Sequence, residues 1–182
     1  MKTAMKTDRP ILKLGHQTLR QCAKRVENIP DPQIQSLIDD LLATVKAANG
    51  VGIAAPQVNE SLQIMVLASR PNPRYPDAPT MEPIVVINPT IVEQSEAIEK
   101  GWEGCLSVPD YRGLIPRAQS ITVNYFDRHG QSQQSTFTGF VARIFQHEYD
   151  HFLGLVFLDR MESENDRVTT DEFKAMFPEM FP

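Results

Sequence analysis

The sequence of 182 residues has few cysteines and no long apolar stretch. Its two cysteines, Cys22 and Cys105, are too few and too far apart to form a disulfide framework. This excludes a disulfide-stabilised secreted module and fits a reducing compartment. No apolar run is as long as a membrane span, and the charged segment Met1–Lys6 leads into no apolar core. We therefore expect a cytoplasmic protein with no membrane association and no secretory signal.

The chain also lacks an excess of basic residues. Its 18 Lys and Arg residues are outnumbered by 23 Asp and Glu residues, which gives a net charge of −5. This balance argues against direct nucleic-acid binding, because a surface that binds phosphates needs clustered cations. With 41% hydrophobic residues, a chain of this length can bury a core without disulfides. No internal repeat divides the sequence, so we predict a single domain.

Helical and strand patterns are both present. A helix is expected over 32–48, because Asp31 is a favourable N-cap and Pro32 suits the first helical position. Its apolar residues recur at helical spacing: Ile34, Leu37, Ile38, Leu41, Leu42 and Val45. Strands are expected at 63–68, 84–93, 120–127 and 131–138. A short helix is expected from Thr170, within a C-terminal tail over 162–182.

The most informative segment is His147-Glu148-Tyr149-Asp150-His151. Residues four apart lie on one face of a helix, so His147 and His151 can bind one ion with Glu148 beside it. This arrangement is typical of metal-assisted hydrolysis. The segment lies in a proline-free helical pattern over 138–152, and buried imidazoles and carboxylates are costly unless they are paired or metal-bound. A metal site is favoured, although an amphipathic core helix with two hydrogen-bonded histidines would have the same five residues.

A catalytic site of this kind usually has three protein ligands and one open position, so a third ligand is needed. Carboxylates follow the motif at Asp159, Glu162 and Glu164. Upstream, Cys105 lies in Glu103-Gly104-Cys105-Leu106-Ser107, and its thiolate would bind zinc or ferrous iron well. A lone cysteine is more often a small buried apolar residue. The residue types alone leave both sources of the third ligand open.

Three segments together carry a resemblance to a known family. They are Gly50-Val51-Gly52-Ile53-Ala54-Ala55-Pro56-Gln57, Glu103-Gly104-Cys105-Leu106-Ser107 and Gln146-His147-Glu148-Tyr149-Asp150-His151. In order and spacing they are similar to the signature motifs of the peptide deformylases, and the resemblance extends from Ile11 to Met161. It implies one catalytic domain over 1–182. Strands before a late buried helix indicate an α+β fold, with small antiparallel or mixed sheets packed around a central buried helix that carries the metal motif.

Carried over residue by residue, the resemblance implies one divalent metal ion. Ferrous iron is the usual metal of the family, and zinc, nickel or cobalt can occupy the same site. The implied ligands are Cys105, His147 and His151. Glu148 becomes the general base and then the general acid. The side chain of Gln57 and the backbone N–H of Leu106 become the donors to the developing oxyanion.

The implied reaction removes the formyl group from the formyl-methionine of newly made proteins and releases formate. A divalent metal lowers the pKa of its water to about 7, and the resulting hydroxide can attack the formyl carbon. Glu148 would accept a proton during the attack and then give one to the departing amine. The implied partners are N-formylmethionyl peptides and nascent chains. A transient contact with the ribosome stays open.

The motifs also indicate substrate contacts. Gly52 could serve a turn that needs a positive φ, or it could leave space for a peptide backbone, and the resemblance implies the second role. Gly104 gives room beside Cys105. Methionine is unbranched and apolar, so its pocket should be apolar. The candidates for this pocket are Val51, Phe140 and Ile144. The direction of the Arg143 side chain stays open.

Two further residues are expected to support the metal ligands. As the resemblance suggests, Glu103 and Arg112 would pair and steady the loop that carries Cys105. Asp150 lies two residues from Glu148 and faces another way, so a structural or surface ion pair is expected of it.

Three other classes of protein share some of these residues. A metalloprotease would keep the two histidines and Glu148 but take a downstream carboxylate as its third ligand. A metal-stabilised binding module could have the same fold without turnover. Cys105 could also act as a covalent nucleophile, but the second histidine and Glu148 would then have no role.

Overall fold

The computed structural model of the chain describes residues 8–181. The expectation for Met1–Lys6 lies outside the described residues, as do the two ends of the domain predicted over 1–182. Within these described residues there are three α-helices and eight strands, with short 3-10 helices between some of them. In chain order they are α1 (Pro32–Ala47), β1 (Gly52–Ala54), β2 (Ile64–Leu67), β3 (Ile84–Gln94), β4 (Ile98–Cys105), β5 (Val108–Ala118), β6 (Ser120–Phe126), β7 (Ser132–Thr138), α2 (Gly139–Phe152), β8 (Arg167–Thr169) and α3 (Thr170–Met176).

The strands form two sheets. The larger sheet has five strands in the order β1-β2-β3-β6-β7, and the smaller has three in the order β4-β5-β8. All of these neighbouring strands are antiparallel. The structure therefore confirms the predicted α+β class with small antiparallel sheets.

Helix α1 begins where the sequence predicts. The Asp31 side chain accepts a hydrogen bond from the backbone N–H of Gln33 at 2.8 Å, and Pro32 is the first helical residue. The helix packs its apolar face against β1 and β2. It ends one residue earlier than predicted, and Asn49 takes the left-handed conformation that closes it, with φ of 51°.

Helix α2 is the buried centre of the fold. It contacts β1, β2, β6 and β7 of the larger sheet and β5 of the smaller one. Ala142, Phe145 and Phe152 are almost fully buried in the core. Gly154 follows the helix with φ of +72°, a conformation that glycine adopts without strain. The predicted central helix is confirmed within one residue at its start.

The predicted strands correspond to β2, β3, β6 and β7. Strands β1, β4, β5 and β8 were not predicted. The tail forms α3 from Thr170 as expected, and a capping box between Thr169 and Glu172 begins it. Phe173 and Phe177 then pack on Trp102, with ring centroids 5.4 and 6.4 Å away. The aromatic residues of the tail therefore pack onto the body of the protein.

Candidate metal centre and active site

The two histidines of the motif face one point. Both lie on α2, one helical turn apart, and their ring centroids are 5.4 Å from each other. His147 is 9% exposed and His151 is fully buried. Helical spacing therefore brings the imidazoles together, as the sequence predicts.

Cys105 completes a group of three metal-binding side chains. It ends β4 at a tight connection to β5, where it is paired with Val108. Its Sγ lies 3.5 Å from Nε2 of His151, and one ligand atom each of Cys105, His147 and His151 lie within 4.8 Å of one another. All three residues are buried. One thiolate and two imidazoles form a donor set that suits a divalent transition metal.

The surroundings of Cys105 favour its thiolate form. The backbone N–H of Ser107 and the Nε2 group of Gln57 donate to its Sγ at 3.4 and 3.5 Å. Burial alone raises the pKa of the Cys105 thiol, but the charges and hydrogen bonds of His151 and His147 hold this pKa well below its usual value. A thiolate is the form that binds a metal.

The downstream carboxylates do not join this group. Asp159 forms an ion pair with Arg20, and Glu162 forms one with Lys100. Glu164 pairs with Arg167. The group found among residues 8–181 takes its third member from Cys105. This geometry disfavours the metalloprotease alternative.

Glu103 orients His147. Its Oε2 lies 2.8 Å from Nδ1 of His147, which leaves Nε2 of that ring for the metal. Arg117 donates to both Glu103 oxygens, at 2.9 and 3.0 Å, and Arg143 donates to Oε1 at 3.0 Å. Burial raises the pKa of Glu103, but Arg117 and His147 outweigh it and lower the pKa to about 2. Glu103 is therefore a buried, ionised carboxylate.

The expected pairing of Glu103 with Arg112 is wrong. Arg112 lies near the middle of β5, five residues before Arg117, and its guanidinium carbon is 6.0 Å from the ring of Tyr75 and 5.6 Å from the ring of Phe173. Its Nε has no hydrogen-bond partner among residues 8–181. Arg117 has the role that the sequence analysis gave to Arg112.

Gly104 has a different neighbour from the one expected. A Cβ atom there would collide with Nη1 of Arg112, so the glycine makes room for this guanidinium. Its backbone N–H donates to the hydroxyl of Tyr75 at 3.0 Å. Gly104 still lines the cavity beside Cys105.

Asp150 forms the structural ion pair that was expected, but inside the protein. It accepts from Arg117 at 2.7 Å and from Arg160 at 2.6 Å, and it is 2% exposed. Arg117 thus bridges Glu103 on β4 and Asp150 on α2. A buried charge pair of this kind costs about 3–5 kcal/mol when one partner is removed.

The side chain of Glu148 lies close to the backbone of Gly52. A Cβ atom on Gly52 would lie 2.7 Å from Oε1 of Glu148 and 2.7 Å from Cγ2 of Ile144. Glu148 is 4% exposed, and its Oε2 has no hydrogen-bond partner within residues 8–181. Burial raises the pKa of Glu148 to about 7, although the charges of His147 and His151 oppose this. A carboxyl group with such a pKa can both accept and donate a proton near neutral pH.

Gln57 lies across the site from Glu148, on a short 3-10 helix over Ala55–Val58 that follows β1. Its Oε1 accepts from the backbone N–H of Ala54 at 2.9 Å. Its Nε2 donates to Ser107 Oγ at 3.2 Å and points towards Cys105. The amide is therefore held with its N–H groups towards the metal-binding group.

A small open cavity lies beside these residues. The predicted pocket residues Val51, Phe140 and Ile144 line it, together with Gly52 and Leu106. Three further lining residues were not predicted: Arg74, Tyr75 and Trp102. Arg143, whose direction the sequence leaves open, also lines the cavity.

Two kinds of signal were missing for these residues. Arg74 and Tyr75 belong to a proline-rich loop, which has no regular pattern. Trp102 belongs to β4, where Gly101 and Gly104 interrupt the alternation of apolar and polar residues. The helical period of α2 places Arg143 one turn before His147, on the same face of the helix. This periodicity is the one sequence feature that indicates the direction of the Arg143 side chain.

Comparison with known proteins gives the family. The family model described as polypeptide deformylase matches residues 8–167. The chain belongs to the polypeptide deformylase family. Peptide deformylase 2 of Nostoc sp. is 59% identical over 92% of this chain and 93% of its own length. Peptide deformylase 2 of Shewanella oneidensis is 48% identical, over 91% of each.

Solved structures of the family agree with the fold. The Met-Ala-Ser-bound class I type b peptide deformylase of Acinetobacter baumannii has a TM-score of 0.84 and 45% identity, and the match covers 86% of this chain and 100% of that one. The deformylase of Thermotoga maritima has a TM-score of 0.76 and 33% identity, covering 86% and 99%. The protein is thus an enzyme that removes the formyl group from the amino terminus of nascent peptides. Its cofactor is a divalent metal ion, for which Cys105, His147 and His151 form the binding group. Within residues 8–181, no helix is long and apolar enough to span a membrane.

Proposed function

We propose that the enzyme holds ferrous iron on Cys105, His147 and His151 and acts on the formyl-methionyl end of new proteins. The buried S, N, N donor group is the single observation that carries this proposal. Zinc, nickel or cobalt would fit the same donors. His147 is already oriented by Glu103, and His151 presents its Nε2 to Cys105, so little rearrangement would accompany binding.

The bound metal would supply Lewis-acid activation of a water molecule and of the formyl carbonyl. Glu148 would accept the proton of the attacking water, because its carboxylate adjoins the group and its pKa of about 7 matches neutral pH. The same carboxyl would then protonate the departing amine. An amide nitrogen needs this proton to leave, which gives Glu148 two successive roles.

Two donors would stabilise the oxyanion that forms from the formyl oxygen. They are the Nε2 group of Gln57 and the backbone N–H of Leu106. The hydrogen bond from Ala54 to Oε1 fixes the amide of Gln57 in this orientation. Removing one such donor typically raises a barrier by about 3 kcal/mol.

The cavity would bind the peptide next to the metal. Val51, Phe140 and Ile144 would form the apolar pocket for the methionine side chain. Gly52 would let the peptide backbone approach closely. A solved relative with Met-Ala-Ser bound, at 45% identity, supports a peptide in this position.

The place of action follows from the substrate. Formyl-methionyl chains leave the ribosome in the cytoplasm of bacteria, so we assign the enzyme to the cytoplasm. We also assign the whole chain to one catalytic domain. A transient ribosome contact would bring it to its substrate. Residues 162–181 of the tail contain two basic residues against six acidic ones, which does not favour such a contact, and Phe173 and Phe177 pack against Trp102.

The test is formate release from formyl-Met-Ala-Ser by protein purified without oxygen, with acetyl-Met-Ala-Ser as the control. We expect release from the formyl peptide alone, loss of release with a chelator, and recovery when ferrous iron is returned. Release that persists with the chelator and without metal in the protein would contradict the proposal.

A further inference from the structure

The segment Leu12-Lys13-Leu14 bridges the parts of the chain that carry Gln57 and Ser107. The backbone N–H of Leu12 donates to the carbonyl oxygen of Gln57 at 2.8 Å. The backbone N–H of Leu14 donates to the carbonyl oxygen of Ser107, also at 2.8 Å. Gln57 follows β1 of the larger sheet, whereas Ser107 lies between β4 and β5 of the smaller one. The segment therefore connects the two sheets beside the candidate metal centre.

The side chain of Lys13 makes a third contact between these two backbone hydrogen bonds. Its ammonium group donates to the carbonyl oxygen of Leu106 at 2.8 Å. A hydrogen bond from a charged donor is roughly twice as strong as one between neutral groups. The carbonyl group of Leu106 belongs to the same peptide unit as the N–H group of Ser107. A positive charge at the oxygen therefore makes this N–H group a stronger donor.

The N–H group of Ser107 donates in turn to the sulfur of Cys105. Its nitrogen lies 3.4 Å from Sγ. A continuous chain of hydrogen bonds thus runs from the exposed Lys13, through the Leu106–Ser107 peptide, to the buried Cys105. Hydrogen-bonded groups in such a chain polarise one another. The charge of Lys13 therefore draws electron density away from the sulfur.

Lys13 acts from outside the cavity. Among residues 8–181, Leu106 lines the cavity and Lys13 does not. The contact that joins the ammonium group to the active site is its hydrogen bond to the Leu106 carbonyl oxygen. Any effect of this lysine on the reaction must therefore pass through the Leu106–Ser107 peptide.

We propose that Lys13 is a positioning residue of the metal centre, which tunes the thiolate of Cys105 through the Leu106–Ser107 peptide. This inference rests on the proposed function, because it takes Cys105 to be a metal ligand. A thiolate from which charge is withdrawn donates less electron density to a bound metal ion, which keeps more of the Lewis acidity that the reaction needs. The exposed lysine would thus support catalysis without touching the substrate.

The first test is the absorption spectrum of cobalt-loaded Lys13→Met, a variant that keeps a long side chain and removes its charge. Charge transfer from a thiolate to cobalt(II) needs less energy when the sulfur is richer in electrons. This band should therefore move to longer wavelength in Lys13→Met, with the cobalt content unchanged. In Lys13→Arg, which keeps the charge, the band should stay near its wild-type position. Lys24→Met is the matched control, because Lys24 is also exposed but lies outside the segment.

The amide proton of Ser107 reports directly on the peptide that carries the effect. In isotope-labelled, zinc-loaded protein, its NMR signal should move upfield in Lys13→Met, because the N–H group is less polarised. The value of kcat/KM for formyl-Met-Ala-Ser should fall by about three- to tenfold, less than the loss of about 10- to 100-fold that is typical when a direct partner of a metal ligand is removed. Lys13→Arg should restore both quantities.

A normal thiolate band in the wild type that stays in place in Lys13→Met would overturn the inference while leaving the proposed function intact. A fall in kcat/KM without either spectroscopic change would also overturn it, since it would indicate a purely structural role. An equal band shift in Lys24→Met would do the same, because any surface charge would then have this effect. If cobalt-loaded wild type shows no thiolate band, Cys105 is not a ligand, and the proposed function fails together with the inference.

Discussion

Glu103 contacts His147 with one oxygen, 2.8 Å from Nδ1, and accepts hydrogen bonds from Nε and Nη2 of Arg117. The metal-binding histidine is thus attached through one carboxylate to a buried arginine. Arg117 in turn holds Asp150, which lies on the same helix as the histidine. The orientation of the candidate metal centre therefore depends on a chain of charges that links the smaller sheet to α2.

Replacing Glu103 by Gln should weaken metal binding by about 10- to 100-fold, because the carboxylate no longer fixes the ring of His147. It should also destabilise the fold by about 3 kcal/mol, since Arg117 keeps its buried charge with one partner fewer. Metal titration and urea unfolding measure the two effects. Glu96→Gln, at an exposed position, should change neither. A Glu103→Gln protein with wild-type metal affinity would show that His147 needs no such support.

The stabilising effect of Glu103 should depend on pH with a definite sign. Its pKa is lowered from the usual value near 4.5 to about 2 in the folded protein. A carboxyl with a depressed pKa stabilises the fold fully above its unfolded pKa and loses this effect as pH falls towards the folded pKa. The difference in unfolding free energy between wild type and Glu103→Gln should thus be fully present at about pH 5.5, above the unfolded pKa of the carboxyl. Below pH 4.5 it should shrink by on the order of 1 kcal/mol per pH unit.

This measurement uses metal-free protein, because acid also releases the metal from its ligands. Urea unfolding of the two proteins at several pH values gives the difference directly. A gap of the same size at pH 3.5 and pH 5.5 would contradict an ionised, stabilising Glu103.

Some parts of this site could be predicted from the sequence because they depend on local periodicity. The spacing of His147 and His151 fixes their common face whatever surrounds the helix. The partner of Glu103 could not be predicted in this way. Arg112 is nearer in sequence, but Arg117 is the residue that faces Glu103, and an odd separation of five places the two arginines on opposite faces of a strand.

The hairpin of β4 and β5 was missed for a related reason. Gly101, Gly104, Pro109 and Pro116 interrupt the alternation of apolar and polar residues that identifies a strand. The two glycine positions are explained by tertiary contacts instead. Gly101 and Gly104 each make room for an arginine, and such contacts join residues far apart in the sequence.

Gly52→Ala should lower kcat at least tenfold while metal content stays near that of the wild type. The added Cβ would lie 2.7 Å from Oε1 of Glu148, so this carboxylate would have to move from the place where it accepts a proton. Steady-state kinetics and metal analysis on the same preparation measure both quantities. Unchanged kcat would mean that Glu148 can act from a displaced position.

Ile144→Asp should raise KM for formyl-Met-Ala-Ser much more than it reduces metal content. Ile144 lines the cavity and is not a metal-binding residue, and a carboxylate in an apolar pocket disfavours the methionine side chain. Kinetics and metal analysis separate the two effects. Loss of metal in proportion to activity would count against the assignment of the pocket.

The most direct measurement on the catalytic centre is made on Glu148→Gln loaded with ferrous iron without oxygen. Metal content and the rate of formate release from formyl-Met-Ala-Ser are determined together with those of the wild type. We expect about one iron per chain in both proteins and a rate at least a hundredfold lower in the variant, because Gln cannot carry a proton. A variant that keeps its iron and releases formate at the wild-type rate would contradict the role of Glu148 as the proton carrier beside the metal.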